Sequence, residues 1–205
     1  MTLYAIWGKN VVITKQPSNV TVEIGQKAAT TVECDGEGLK YQWYTKDYNA
    51  STFSKTSTSV TNTYSAQMNA PVRIGRKAYC VISDAFGNSV TSNTVTLNAT
   101  YRIIYNANGG TGTMNDSIYK YRESKALAKN TFVQRGYKFI GWSLSDTDNT
   151  VTYNDGQVVS KLTSSQPTVN LYAVWKLNNS INIWDDEEKW NKYLVYIYEN
   201  DTVKF

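Results

Sequence analysis

The chain contains no histidine among its 205 residues. That removes the commonest general base, the usual catalytic triads and every zinc site that needs an imidazole. Only two cysteines occur, Cys34 and Cys80, and two thiolates cannot build a zinc site alone. No Gly-x-Ser-x-Gly elbow presents a serine nucleophile, and no pair of carboxylates sits in a hydrolytic motif. The chain therefore reads as a non-enzyme, with no catalytic residue, cofactor or metal. Charge is sparse too: 21 basic and 17 acidic side chains make up 19% of the chain and leave a net +4. That is too mild for a nucleic-acid protein, which clusters its Lys and Arg. No apolar run is long enough to cross a bilayer, which argues against membrane insertion. The start, Met1-Thr2-Leu3-Tyr4, lacks the basic and apolar regions of a secretory leader.

The chain is rich in the residues of β-structure. Sixteen Tyr, six Trp and many Thr and Val, with only three Pro, favour strands joined by polar turns. Val11 to Ser18 reads as an edge strand ended by Pro17. Val20, Val22 and Ile24 alternate, Val32 and Cys34 share a face, and Tyr41-Gln42-Trp43-Tyr44 follows a glycine turn. Tyr79-Cys80-Val81-Ile82 and Val90 to Leu97 flank the hairpin loop Asp84-Ala85-Phe86-Gly87-Asn88. Strands at this spacing indicate a sandwich. The order Cys34…Trp43…Cys80, with Tyr41–Tyr44 and Tyr79–Asn88, resembles a bacterial immunoglobulin-like domain. Such a domain implies a disulfide between Cys34 and Cys80. Two buried thiols would pack nearly as well, and the redox compartment decides between the two states. Trp43 reads as a core plug, with a sugar platform as its alternative.

Further along, Tyr101 to Asn106 alternates and Asn108-Gly109-Gly110-Thr111-Gly112 makes a loop. Ser117 to Tyr121 reads as a return strand, Glu123 to Asn130 as a short helix, and Gly136 to Trp142 and Val169 to Trp175 as two more strands. The core of this unit is expected on Tyr137, Phe139, Trp142, Leu171 and Trp175. Its elements run in the order ββαββ, a small β-grasp-like sheet holding one helix. The glycine loop lacks the lysine and helix of a phosphate loop and reads as a turn. Asp146-Thr147-Asp148-Asn149 lacks the spacing of a calcium loop and reads as a solvated turn. The strings Tyr105-Asn106-Ala107-Asn108-Gly109-Gly110, Gly136 to Ser143 and Leu171 to Trp175 resemble the internalin B-repeat family. That resemblance implies a surface protein of a Gram-positive bacterium.

Two echoes complete the pattern. Thr2-Leu3-Tyr4-Ala5-Ile6-Trp7 returns as Asn170-Leu171-Tyr172-Ala173-Val174-Trp175, the mark of a modular β-array. Ile181 to Glu187 lines up with Val195 to Asp201, predicting tandem aromatic hairpins. These are similar to the hairpin units that close phage tail and minor structural proteins. The acidic run Asp185-Asp186-Glu187-Glu188 reads as a soluble turn. The expected organisation is an orphan strand over residues 1–9, an immunoglobulin-like sandwich over 10–99, a B-repeat-like β-grasp domain over 100–176 and hairpins over 177–205. A short, stiff joint is expected near Ala99–Tyr101.

Function follows from this organisation. The chain is expected to be a surface-exposed structural and host-binding protein, a fibre, decoration or tail component on the virion of a phage of a Gram-positive bacterium. The alternative is a stalk or adhesive module on the outside of such a bacterium. Met1 followed by half a repeat and no leader fits the virion; a cut-out from a longer protein would fit the cell surface. Partners would be other virion or surface-protein subunits, and a host-surface protein or glycan. Candidate partner-binding residues are Leu3, Tyr4 and Trp7 in the orphan strand and Trp184, Trp190 and Tyr198 in the hairpins, because aromatic rings suit both protein and glycan contact. Pairing of the orphan strand between copies would make a homo-oligomer.

Overall fold

A computed structural model describes residues 8–57 and 60–178, together with the backbone of residues 197–199 and 202–204. In the first module β1 is Val12–Lys15, β2 Val20–Glu23, β3 Lys27–Thr31, β4 Glu33–Asp35, β5 Lys40–Lys46, β6 Ser54–Lys55, β7 Thr63–Gln67, β8 Arg76–Ser83 and β9 Ser89–Thr91. The tenth strand, β10, is Val95–Asn106. One layer is made by the antiparallel pairs β1–β4 and β3–β7. The other runs β10–β8–β5–β6, with β9 also on β8 and β2 parallel to β10. Antiparallel layers with the first module's opening strand split between them form an immunoglobulin-like sandwich.

Strand alternation fills its core. Ala78, Cys80 and Ile82 of β8 are buried while Tyr79, Val81 and Ser83 face outward. Trp43 lies opposite Cys80 in the β5–β8 register and is fully buried. Its ring sits 5.7 Å from Tyr64 and its indole N–H donates to the Thr61 carbonyl at 2.9 Å. A fully buried side chain of the size of Ile82 contributes about 1.5–3 kcal/mol relative to leaving it in water.

The hairpin loop Asp84–Asn88 is organised by one carboxylate. Asp84 accepts from the backbone N–H of Phe86 and Asn88 on Oδ1 and from Val11 N–H and the Asn88 side chain on Oδ2, at 2.9–3.1 Å. Burial pushes its pKa up, but the Asn88 side chain and the N–H groups of Asn88, Val11 and Phe86 outweigh that and hold it below the ordinary 3.8.

β10 alternates buried and half-buried positions without a break across all 12 residues. Val95, Leu97 and Ala99 enter the first core and Tyr101, Ile103 and Tyr105 the second, within one contiguous apolar cluster. Ala99–Tyr101 thus lies inside a strand. The second module adds β11 Ser117–Lys120, β12 Lys125–Ala126, β13 Tyr137–Ser143, β14 Val158–Val159 and β15 Thr168–Leu177. β15 is central, parallel to β10 and antiparallel to β13.

The expected helix over Glu123–Asn130 is absent, and no helix occurs among the described residues, so this unit is not a ββαββ grasp. Its place is taken by β12, paired with β14. Tertiary partners claim the backbone there. Tyr119 Oη donates to the Ala126 carbonyl at 2.8 Å, Leu127 N–H to Gln157 O at 2.9 Å, Ala128 N–H to Tyr105 Oη at 2.9 Å, and Asn130 N–H to Asp155 Oδ1 at 2.8 Å. Eight residues of helix propensity are marginal against such competition. The core also differs at one position: Tyr137 is 43% exposed, whereas Trp142 and Leu171 are fully buried and Phe139 and Trp175 half-buried against them. Trp142 is ringed by Tyr105, Phe132 and Phe139 at centroid distances of 5.0, 6.3 and 4.9 Å.

Beyond residue 178, β16 (Ile197–Glu199) pairs antiparallel with β17 (Thr202–Lys204). The first of the two expected hairpins, with Trp184 and Trp190, lies outside the described residues, as does the orphan strand with Leu3, Tyr4 and Trp7. Tyr198 lies on β16.

Candidate functional site

Two constructions have functional shape: the joint between the modules, and a cationic cleft with an aromatic face beside it. At the joint, Arg122 leaves the turn after β11 and reaches into the first module. Its guanidinium donates to the Ile74 carbonyl at 2.5 Å and the Pro71 carbonyl at 2.6 Å. It also lies over the rings of Tyr48 and Tyr121, 3.6 and 4.6 Å from their centroids. A planar cation with forked donors suits this combined task better than lysine would. Arg122 takes a left-handed φ of 71°, a costly conformation for a residue with a Cβ, and the four contacts hold it there.

Gly75 completes the clamp. A Cβ there would come within 3.0 Å of the Tyr48 ring, and its own φ of 91° lies where only glycine is comfortable. Its N–H donates to Leu97 O at 2.8 Å, tying the same turn to β10. Ile24 N–H donates to Thr100 O at 2.9 Å and Tyr121 N–H to Ala99 O at 2.8 Å, so both modules grip the middle of that strand. The half-buried Arg102 adds Glu23 at 3.8 Å and Asp116 at 3.3 Å, ion pairs open enough to solvent to contribute little.

A shallow cleft of about 310 Å³, open to solvent, lies between β5–β6 and β7. Lys55, Arg73 and Arg76 line it with Thr45, Ser57 and Ser65, and no acidic residue lines it among the described residues. Arg76 is braced: its Nε donates to Asp47 Oδ1 at 2.7 Å and its Nη1 to Tyr64 Oη at 2.9 Å. Burial works against the Arg76 charge, but the hydrogen bonds to Tyr64 and Asp47 outweigh it and raise its pKa above the ordinary value. Arg73 is exposed, with Asn69 Oδ1 3.3 Å away.

Lys55 connects the cleft to the outward face, because it lies opposite Tyr44 in the β5–β6 register. There Tyr44 stacks on Tyr79 at 5.1 Å and 8°, and Phe53 meets Tyr79 edge-on at 4.9 Å. Lys46 lies 5.3 Å from the Phe53 centroid and opposite Lys77. The outward residues of β5 and β8, alternating from Lys40 to Lys46 and from Lys77 to Ser83, include no acid. Sequence reasoning missed this constellation. Its one legible signal is the aromatic and lysine residues between the inward positions of β5 and β8.

Cys34 and Cys80, the candidate disulfide pair, are both free thiols in the structure. Burial pushes the Cys80 thiol up to about 12, and burial with the neighbouring Asp35 carboxylate raises Cys34. Both thiols stay protonated at neutral pH and are poor nucleophiles. Trp43 is wholly inside, as a core plug. The glycine loop packs on Trp175: a Cβ at Gly110 would lie 2.7 Å from that ring, and the Trp175 indole N–H donates to Ala107 O at 2.9 Å. Asp148 accepts from Thr150 N–H at 2.8 Å within its turn.

Comparison with known proteins bears on the second module directly. Residues 101–174 match the Listeria-Bacteroides repeat domain. The matched stretch runs from β10 to β15, the strands on which that module is built. The chain is also similar to solved tandem immunoglobulin domains of titin, at 15% identity over 69% of this chain and 79% of that one, with a TM-score of 0.37. Tandem immunoglobulin repeats of Dlar align at 11% identity over 80% of this chain and 97% of that one, with a TM-score of 0.32. The immunoglobulin-like assignment rests on the strand pairing described above. No curated protein matches the chain.

Proposed function

We propose that this chain is a non-catalytic structural and adhesive segment of a bacterial surface-displayed protein, in which the two modules act as one stiff spacer. The observation that carries the reading is β10, a single strand that serves both cores and is locked by Arg122 where the modules meet. A flexible tether would place polar, glycine-rich residues at that point. The match of residues 101–174 to a repeat domain supports use in series, since repeat arrays extend by adding units. A virion component is the second reading, supported by the tandem aromatic pattern after Leu177 and the β16–β17 hairpin. An antibody against residues 10–178, applied to intact cells and to purified virions of the producing strain, tests both. Labelling of cells supports the first reading and labelling of virions the second, whereas signal confined to lysed cells would overturn display altogether.

A further inference from the structure

We propose that the cleft and its neighbouring aromatic face bind an acidic polysaccharide. The anionic group, a carboxylate or phosphate, would sit between Lys55 and Arg73, with a sugar ring against the outward tyrosines. Lys55 of β6, with Arg73 and Arg76 from a second stretch, brings three cations to one hydroxyl-lined hollow, and Asp47 balances only one of them. Asp47 engages Arg76 alone, so Arg76 is a brace, and Arg73 and Lys55 are the groups offered to a ligand. The turn carrying Arg73 is held on either side of it by the Arg122 bonds to Pro71 and Ile74, which preorganises its position.

About 310 Å³ is at the small end of ligand pockets and takes one sugar residue with its charged substituent. Arginine's fork matches carboxylate and phosphate oxygens, and the hydroxyls of Thr45, Ser57 and Ser65 suit a sugar's own hydroxyls. The stacked Tyr44–Tyr79 pair supplies a half-exposed apolar plane beside Lys55. Charge on the chain favours an anionic partner as well. Residues 1–176 carry 18 basic against 11 acidic side chains (21 less 3; 17 less 6), because the acids concentrate after Leu177. A nucleic acid would call for a longer basic stripe.

The test is calorimetric titration of the whole chain with polygalacturonate for the carboxylate source and a ribitol-phosphate teichoic acid for the phosphate source. Neutral dextran, poly-L-glutamate and single-stranded DNA serve as comparisons. Binding to at least one acidic glycan, weakened by salt, is expected. The exposed pair Lys55→Gln and Arg73→Gln should lower that affinity about tenfold or more while leaving the melting temperature in place. The joint grips that turn through the backbone carbonyls of Pro71 and Ile74 and not through the side chains of Lys55 or Arg73, so failure here leaves the stiff-spacer reading standing. No binding to either acidic glycan, unchanged affinity in the double variant, or equal binding to polyglutamate or DNA would each overturn the proposal.

Discussion

Trp43 and Trp142 are equally buried, but their indole N–H groups fare differently. Trp43 donates to Thr61 O, whereas no described residue accepts from Trp142 Nε1. Truncating either to alanine should cost about 3–5 kcal/mol. Phenylalanine separates them: both variants lose ring volume, but only Trp43→Phe strands a carbonyl that had a partner. Trp43→Phe should therefore cost more than Trp142→Phe by about 1 kcal/mol in urea unfolding, and the reverse order would show that Trp142 is the better-satisfied ring. Asp84 gives a second test through pH. Its folded pKa is depressed, so its contribution is fully present above the unfolded value near 3.8 and is lost as pH falls through the lower folded value. Asp84→Asn should be less stable at neutral pH, and its melting temperature should fall less steeply in acid, so that the two proteins approach each other below pH 3.8. Parallel curves would mean that the loop does not depend on the carboxylate's charge.

The turn between β11 and β12 shows what a single clamp does for an element. Arg122→Ala removes two charge-assisted hydrogen bonds and both ring contacts while keeping a Cβ at a left-handed φ, and should cost on the order of 1–3 kcal/mol. Arg122→Gly loses the same contacts but relieves the backbone, so it should recover about 1 kcal/mol of that loss. Melting temperatures rank the three proteins, and faster amide exchange at Gly75 in both variants would report release of its turn. This clamp was not legible in sequence, because Arg122 and its partners at Tyr48, Pro71 and Ile74 share no motif. Most strands were legible, since Val20–Ile24, Tyr79–Ile82 and Tyr101–Tyr105 alternate in period two and bury one face each. Ala126, Leu127 and Lys129 gave a helical signal that was overridden by carbonyls and hydroxyls on β11, β10 and the 154–157 turn. Tyr137 was expected in the core with its aromatic neighbours, but it opens β13, opposite the exposed Leu177. The cleft was hidden because its lining comes from four separate stretches between Thr45 and Arg76.

At the scale of the whole molecule, the shared strand predicts shared unfolding. Apolar residues of both modules form one cluster through β10. Losing either half of that strand exposes the other half's row of N–H and C=O groups as well as its side chains. Residues 10–178 should therefore melt in a single calorimetric transition, and Trp142→Ala should lower that whole transition. Two glycines inserted between Ala99 and Thr100 would break the coupling. They would shift Thr100 away from Ile24 and Ala99 away from Tyr121, undo the β2–β10 register beyond Ala99, and add freely rotating residues at the junction. Each module keeps its own buried aromatics, so the inserted chain should show two transitions. Trp142→Ala should then lower only the one belonging to the second module. Two transitions in the unmodified chain would mean that a continuous strand does not make a continuous folding unit here, and the stiff-spacer reading would lose its physical basis.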